Sequence, residues 1–175
     1  MTRAYVAVGS NINPEENVKK AVHLLAHKTR VIGISTVYLT EPEGRSGQPP
    51  FYNLVVEVET EMPPKDLKYR VLRIIENDLD RVRTEDKYAP RTIDLDLILY
   101  NDLALQAEDL TLPDPEILRR PFLAFPLSEL SPELILPGTA LTIKQVLAGL
   151  SQARMKPMDG FTQLLRKEVS NGCKS

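Results

Sequence analysis

RTIDLDLILY, Arg91–Tyr100, alternates charged and apolar residues with a period of two. Read as a β-strand, it sets Asp94 and Asp96 on one face and turns Ile93, Leu95 and Leu97 toward a core on the other. Two like charges side by side on a strand repel, and a cation relieves them. A hard divalent ion such as Mg²⁺ prefers oxygen ligands. Arg91 stands just upstream, behind a Pro90 that biases Ala89 toward extended geometry. A cation beside paired carboxylates suits polyphosphate handling, so the stretch points to a phosphoryl-type transferase. On this stretch alone, the wet face of a half-exposed sheet remains the ordinary alternative.

Working outward, the elements alternate in type. Ala4–Val8 reads as a short buried strand ended by Gly9-Ser10-Asn11. Pro14 opens a helix with Val18, Ala21, Val22, Leu24 and Leu25 on its apolar face. Val31–Thr40 is β-branched and strand-like, and Asn53–Thr60 is a second strand. Between them Glu41–Pro50, dense in Gly and Pro, is a loop. Pro63 and Pro64 start a long helix through about Val82, with Leu67, Val71, Ile74, Ile75 and Leu79 as its buried stripe. Thr84–Pro90 is a polar loop feeding the acidic strand. Leu103–Leu112 is expected as a hairpin partner to it, with helices over Pro121–Leu130, Leu141–Leu150 and Phe161–Val169.

The order strand–helix–strand–strand–helix–strand predicts an α+β fold with a ferredoxin-like core: a mostly antiparallel sheet with helices packed on it, an α/β/α sandwich. Residues 1–150 form the expected functional domain, and 151–175 a C-terminal extension without an assigned role. In that layout Gly9-Ser10-Asn11, Glu41–Pro50 and Thr84–Pro90 gather at one end of the sheet. The long Glu41–Pro50 loop, with Gly44 and Gly47 for freedom, is a candidate binding loop.

Composition narrows the class. At 175 residues and 42% hydrophobic, the chain can bury a core as one domain. A net charge of −2 argues against a general nucleic-acid or anionic-membrane binder. No apolar run is long enough to span a bilayer, and MTRAYVAVGS lacks a secretory layout, so the expected location is cytoplasmic. The single cysteine, Cys173, excludes an internal disulfide and reads as a free thiol. His23 and His27 share one helix face but lack a third ligand, which favours a surface pair over a metal site.

Lys87–Ile98 (KYAPRTIDLDLI) resembles the signature of the 6-hydroxymethyl-7,8-dihydropterin pyrophosphokinases, enzymes of folate biosynthesis. AYVAVGSN, STVYLTEPEG, GQPPFYNLVVEVET, the RVR of Arg81–Arg83, LTLPD and RPFLAFPLSELSPELILP follow in the family's order and spacing. The resemblance covers roughly residues 4–138 and not the tail beyond about Ser151. Several motifs in register are more specific than any one. It implies a Mg²⁺-dependent kinase that transfers the β,γ-diphosphate of ATP to the pterin hydroxymethyl group and releases AMP. It also implies two Mg²⁺ ions held by Asp94 and Asp96, with Arg81 and Arg91 as catalytic cations on the triphosphate. For the pterin it implies Asn53 on the ring edge, Phe51 and Phe122 against its faces, and Gly9, Thr40, Glu41 and Glu43 completing the pocket. For ATP it implies Glu76, Arg83, Tyr88, Thr111 and Arg120. Arg70 and Arg73, by contrast, read as a solvated basic face paired with nearby acids. Both long loops are expected to close over the substrates and exclude water.

Departures from the family pattern cluster on the nucleotide side. Pro113-Asp114-Pro115 stands where many members have Pro-His-Tyr, Tyr88 replaces a tryptophan, Ala89 a glycine, Thr84 a lysine and Asp109 an arginine. Positive charge around ATP is thereby reduced, while the acidic pair and pterin set are kept. Two other classes fit parts of the pattern: a non-catalytic pterin or nucleotide binder, and an unrelated Mg²⁺-dependent nucleotidyl transferase. The binder would not need Arg81 and Arg91 beside the acidic pair, and the transferase would not need Asn53, Phe51 and Phe122.

Overall fold

A computed structural model describes residues 1–42 and 47–172. The expectations placed on Glu43, Gly44 and Cys173 lie outside the described residues. The elements are β1 (Thr2–Ser10), α1 (Pro14–Lys28), β2 (Arg30–Ile34), β3 (Tyr38–Thr40) and β4 (Phe51–Thr60). A helical stretch over 64–78 follows, made of α2 (Pro64–Asp66), a π-helical turn (Leu67–Leu72) and α3 (Arg73–Asp78). Next come β5 (Asp94–Tyr100), β6 (Leu105–Gln106), β7 (Thr111–Leu112), a 3₁₀ turn (Pro115–Leu118) and α4 (Pro121–Leu130). The chain continues through α5 (Ile143–Ala148), β8 (Met155–Pro157) and α6 (Asp159–Gly172).

The main sheet is antiparallel, in the order β5-β1-β4-β3-β8, with β2 also pairing β4. This is the expected ferredoxin-like α+β arrangement, with both central strands, β1 and β4, covered on two faces. Ala4, Val6 and Val8 of β1 face one core with Val18 and Leu25 of α1, Leu67, Leu72 and Ile75 of the 64–78 stretch, and Leu165 of α6. Tyr5 and Ala7, pointing the other way, join Val55, Ile98, Leu99 and the buried sides of α4 and α5. Ile93, Leu95 and Leu97 enter the first core as the alternation demands. A bulge at Ile98, where Tyr5 opposes Leu99 but Val6 opposes Leu97, turns Ile98 and Leu99 together into the second.

Beyond shifts of a few residues at element ends, the structure departs from the sequence expectation in these places. Val31–Thr40 is two strands rather than one. Both lie on β4, and in the gap between them the Ser35 hydroxyl accepts from the Val55 amide at 2.8 Å, replacing a backbone partner. The long helix stops at Asp78 instead of Val82, because Leu79 leaves helical geometry, Asp80 takes a left-handed φ of 59° and Val82 is 73% exposed. Its stripe is also rotated: the π-helical turn adds a residue, so Leu72 is buried and Ile74 is 46% exposed. Finally, Leu103–Leu112 folds on itself as the β6–β7 hairpin, off the main sheet, rather than pairing with β5.

Candidate active site

The face of β1 that carries Tyr5 and Ala7 under α4 continues to Gly9, where the helix no longer covers the sheet. Gly9 stands opposite Asn53 on β4 and Asp94 on β5, and the next pair inward sets Ala7 opposite Asp96. Directly opposed residues share a face, so Asn53, Gly9, Asp94 and Asp96 form one floor. A Cβ on Gly9 would lie 2.7 Å from Asn53 Oδ1, which is why the centre of that floor is a glycine. Above it lies a cavity of about 290 Å³. Thr40, Glu41, Phe51 and Asn53 line it from the β3–β4 side; Lys87, Tyr88, Arg91, Asp94 and Asp96 line it from the β5 side. The start of α4 and the turn before it supply Arg120, Phe122 and Asp114.

The cavity is apolar and flat-walled toward one side, and highly charged toward the other. Asn53 Nδ2 donates to Thr40 Oγ1 at 2.7 Å, which fixes the amide with its oxygen toward Gly9. The Arg91 guanidinium lies 5.9 Å from the Phe51 ring centre and that of Arg120 5.6 Å from the Phe122 ring centre. Each of these aromatic rings therefore has a guanidinium over its face.

Asp94 accepts from Arg81 Nη1 and Arg91 Nη1, each at 3.0 Å. Burial pushes its carboxyl up, but the two guanidinium groups outweigh that and hold it below the usual value. Among the described residues Asp96 has no such hydrogen-bonded cation. Its surface opens to the cavity, yet it sits in a recess, and that desolvation with the charges of Asp94, Glu76 and Asp114 raises its carboxyl to about 7. Burial also pushes Asp114 up, opposed by the Glu116 amide that it accepts from while capping the 3₁₀ turn.

Beneath the arginines, Glu76 is 1% exposed. Its oxygens accept from Arg73 at 2.7 Å, Arg83 at 2.7 Å, Arg81 at 3.3 Å and the Leu95 amide at 3.2 Å. It thus ties the 64–78 helix to β5 and sets Arg81 against Asp94. Arg81 Nε and Arg91 Nε are buried without a hydrogen-bond partner among the described residues.

The three expected loops do meet. Asn11 donates its side chain to Gln48 at 3.1 Å and its backbone N–H to the Arg91 carbonyl at 3.2 Å, and Gln48 donates to the Tyr88 carbonyl. Of the residues singled out from sequence, Gly9, Thr40, Glu41, Phe51, Asn53, Tyr88, Arg91, Asp94, Asp96, Arg120 and Phe122 surround the one cavity. Arg81 and Arg83 border a neighbouring recess that shares Asp94 and Asp96. Glu76 lies under the site rather than in it, and Thr111 is exposed on β7 outside the cavity lining. Arg70 and Arg73 pair with acids of their own helical stretch as expected, Arg70 with the exposed Asp66 and Arg73 with Glu76, which is buried rather than solvated. Lys87 also lines the cavity, a position that nothing in the sequence marks beyond its place in the polar loop that feeds β5. His23 faces Glu168 at 3.5 Å. Among the described residues no cluster of three or more His, Cys, Asp or Glu side chains is placed to share a metal. No helix of the described residues is long and apolar enough to cross a membrane.

Known proteins carry the same pattern. The family profile for 7,8-dihydro-6-hydroxymethylpterin-pyrophosphokinase (HPPK) matches residues 5–132. The chain is 36% identical over 149 residues to a 2-amino-4-hydroxy-6-hydroxymethyldihydropteridine pyrophosphokinase of Haemophilus influenzae, covering 83% of this chain and 92% of that one. The corresponding Pseudomonas aeruginosa protein is 36% identical over 138 residues, covering 77% and 84%. A folic acid synthesis protein of Schizosaccharomyces pombe is 36% identical over 97% of this chain, which spans only 23% of that longer protein. Wild-type HPPK-DHPS of Plasmodium falciparum superposes with a TM-score of 0.68 at 15% identity, over 90% of this chain and 47% of that one, a likeness of fold. With the profile spanning most of the chain and bacterial relatives matched over most of their own length, this chain belongs to the 7,8-dihydro-6-hydroxymethylpterin pyrophosphokinase family.

Proposed function

We propose that the chain transfers the diphosphate of ATP to the hydroxymethyl oxygen of 6-hydroxymethyl-7,8-dihydropterin, in the cytoplasm, as a step of folate biosynthesis. One observation carries this reading. One cavity floor carries an oriented amide and a carboxylate pair with its arginines, Gly9 lying between Asn53 and Asp94, and Phe51 and Phe122 line the same cavity. A flat ring with donor and acceptor edges fits the Asn53, Phe51 and Phe122 half. A triphosphate fits the cationic half.

In the proposed transfer the substrate oxygen attacks the β-phosphorus, the bond from that phosphorus to the α,β-bridging oxygen breaks, AMP leaves, and the hydroxyl proton passes to solvent. Arg81, Arg91, Arg83, Arg120 and Lys87 neutralise charge that builds on the phosphate oxygens. Asn53 and the two phenylalanines hold the ring so that its hydroxymethyl group points toward Asp96. Residues 47–50 and the loop 84–90, joined through Gln48 and Tyr88, exclude water from the transferring group.

Divalent cations suit the acidic half. Its donors are hard oxygens, and the raised Asp96 carboxyl marks unrelieved negative charge of the kind that a cation removes. Asp94 and Asp96 would hold two Mg²⁺ ions, with phosphate oxygens and water completing their shells. When bound, the ions supply Lewis-acid neutralisation and lower the pKa of the attacking hydroxyl, a role no histidine of the cavity lining takes. The direct test is product analysis with ATP, Mg²⁺ and the reduced pterin. AMP is the expected product; ADP would mean transfer of one phosphate, and no nucleotide product would favour a binding protein.

A further inference from the structure

β3 is three residues long, yet it carries Thr40, the residue that orients Asn53. Such a short strand needs support from outside itself, and two elements supply it. From the C-terminal segment, β8 pairs along its whole length, with Thr40 opposite Met155, Leu39 opposite Lys156 and Tyr38 opposite Pro157. Immediately before β3 the chain leaves the β-ladder at Val37, which is fully buried. There the Val37 amide donates to Thr162 Oγ1 at 2.9 Å, the Val37 carbonyl accepts from the Met158 amide at 2.8 Å, and the Thr162 hydroxyl donates to the Met158 carbonyl at 2.8 Å. On the other side, Glu129 near the end of α4 accepts from the Thr36 amide at 2.8 Å and from the Tyr38 hydroxyl at 2.5 Å. The first turn of that same helix carries Phe122.

We propose that Thr162 and Glu129 are positioning residues for the pterin half of the site. Acting through β3, they fix where Thr40 holds the Asn53 amide and how α4 sets Phe122 against Phe51. The residues after Ser151 therefore belong to the substrate-binding architecture of this domain. This rests on the pterin reading above. Thr162 is 1% exposed and uses its hydroxyl as both acceptor and donor. Without that hydroxyl the buried Val37 amide has no partner and the turn into β3 loosens. The metal half, on β5 and the far side of Gly9, does not share these ties.

The test is steady-state kinetics of the full chain, with each substrate varied in turn, for Thr162→Val, Thr162→Ser, Glu129→Gln and, as a control, Arg166→Met. Arg166 also anchors α6, but to the Ile34 carbonyl on β2 at 3.0 Å and not to β3. Thr162→Val and Glu129→Gln should raise the pterin KM about tenfold, the effect of one lost hydrogen bond in a buried network. The KM for ATP and kcat should stay within about twofold. Thr162→Ser should restore the native pterin KM, and Arg166→Met should leave it unchanged. The proposal is overturned if Thr162→Val and Glu129→Gln leave the pterin KM unchanged, or if Arg166→Met raises it equally, since that would be general loosening of α6. Wild-type protein that makes no AMP from ATP and the pterin would overturn the functional reading itself, and the positioning role with it.

Discussion

Asp94 and Asp96 share one strand face but meet opposite surroundings. Asp94 is clasped by Arg81 and Arg91, while Asp96 opens into the cavity among other carboxylates. Their alternation was legible in RTIDLDLILY, but their inequality was not, because it depends on the desolvation of Asp96 and on the folded chain aiming Arg81 and Arg91 at Asp94 alone, with Glu76 and Asp114 brought near Asp96 from afar. The inequality has a pH consequence. Folding raises the Asp96 carboxyl from 3.8 to about 7, so its contribution to stability is fully present below pH 3.8 and lost as pH rises through about 7. Asp94 is lowered, so its contribution is present above the unfolded value and lost only on acidification. Metal-free Asp96→Asn protein should therefore melt above the native protein at pH 8, with the difference shrinking toward pH 5. Mg²⁺ should raise the melting temperature of the native protein at pH 8 and not that of the variant. Turnover should be lost in the same variant. Equal melting at pH 8, with or without Mg²⁺, would remove both the repulsion and the metal assignment.

The 64–78 stretch shows what an element adds to its residues. Its start at Pro63-Pro64 and its apolar character were readable, but the π-helical turn was not, since LKYRVL suits either winding. That extra residue per turn buries Leu72 and brings Glu76 inward, under the arginines of the site. Glu76 is thereby moved from a candidate nucleotide contact to the hub that holds Arg73, Arg81 and Arg83. Glu76→Gln leaves buried or half-buried guanidinium groups short of a counter-charge. It should lower unfolding stability by about 3 kcal/mol, at the low end of what breaking a buried pair costs. With Arg81 no longer set against Asp94, kcat should fall at least about tenfold without any contact to ligand being removed. Urea unfolding and single-turnover rates read the two effects separately. A variant with native stability and rate would show that the arginines hold their positions without Glu76.

Across the whole molecule, two cores share one sheet, and the floor of the site runs where α4 stops covering it. The strand and helix order made this fold legible, since it leaves few ways to pair the strands. The tail was opaque because its helix carries a narrow stripe, Phe161, Leu165 and Val169, whose meaning comes only from packing against α1 and β4. Leu165 and Val169 are buried with the residues of α1, so α6 should open only when the domain does. Hydrogen exchange should show the Leu165 and Val169 amides protected as strongly as those of Val6 and Val56. Fast exchange in α6 beside a protected sheet would make the tail an appendage. Whether one floor holds both the ring and the reacting phosphate is decided by a crystal structure with Mg²⁺, a non-hydrolysable ATP analogue and the reduced pterin. The ring should lie between Phe51 and Phe122 on Asn53, with metal on Asp94 and Asp96 and the β-phosphate facing the pterin hydroxyl across Gly9. A pterin bound elsewhere, or a triphosphate that does not reach the acidic pair, would contradict it.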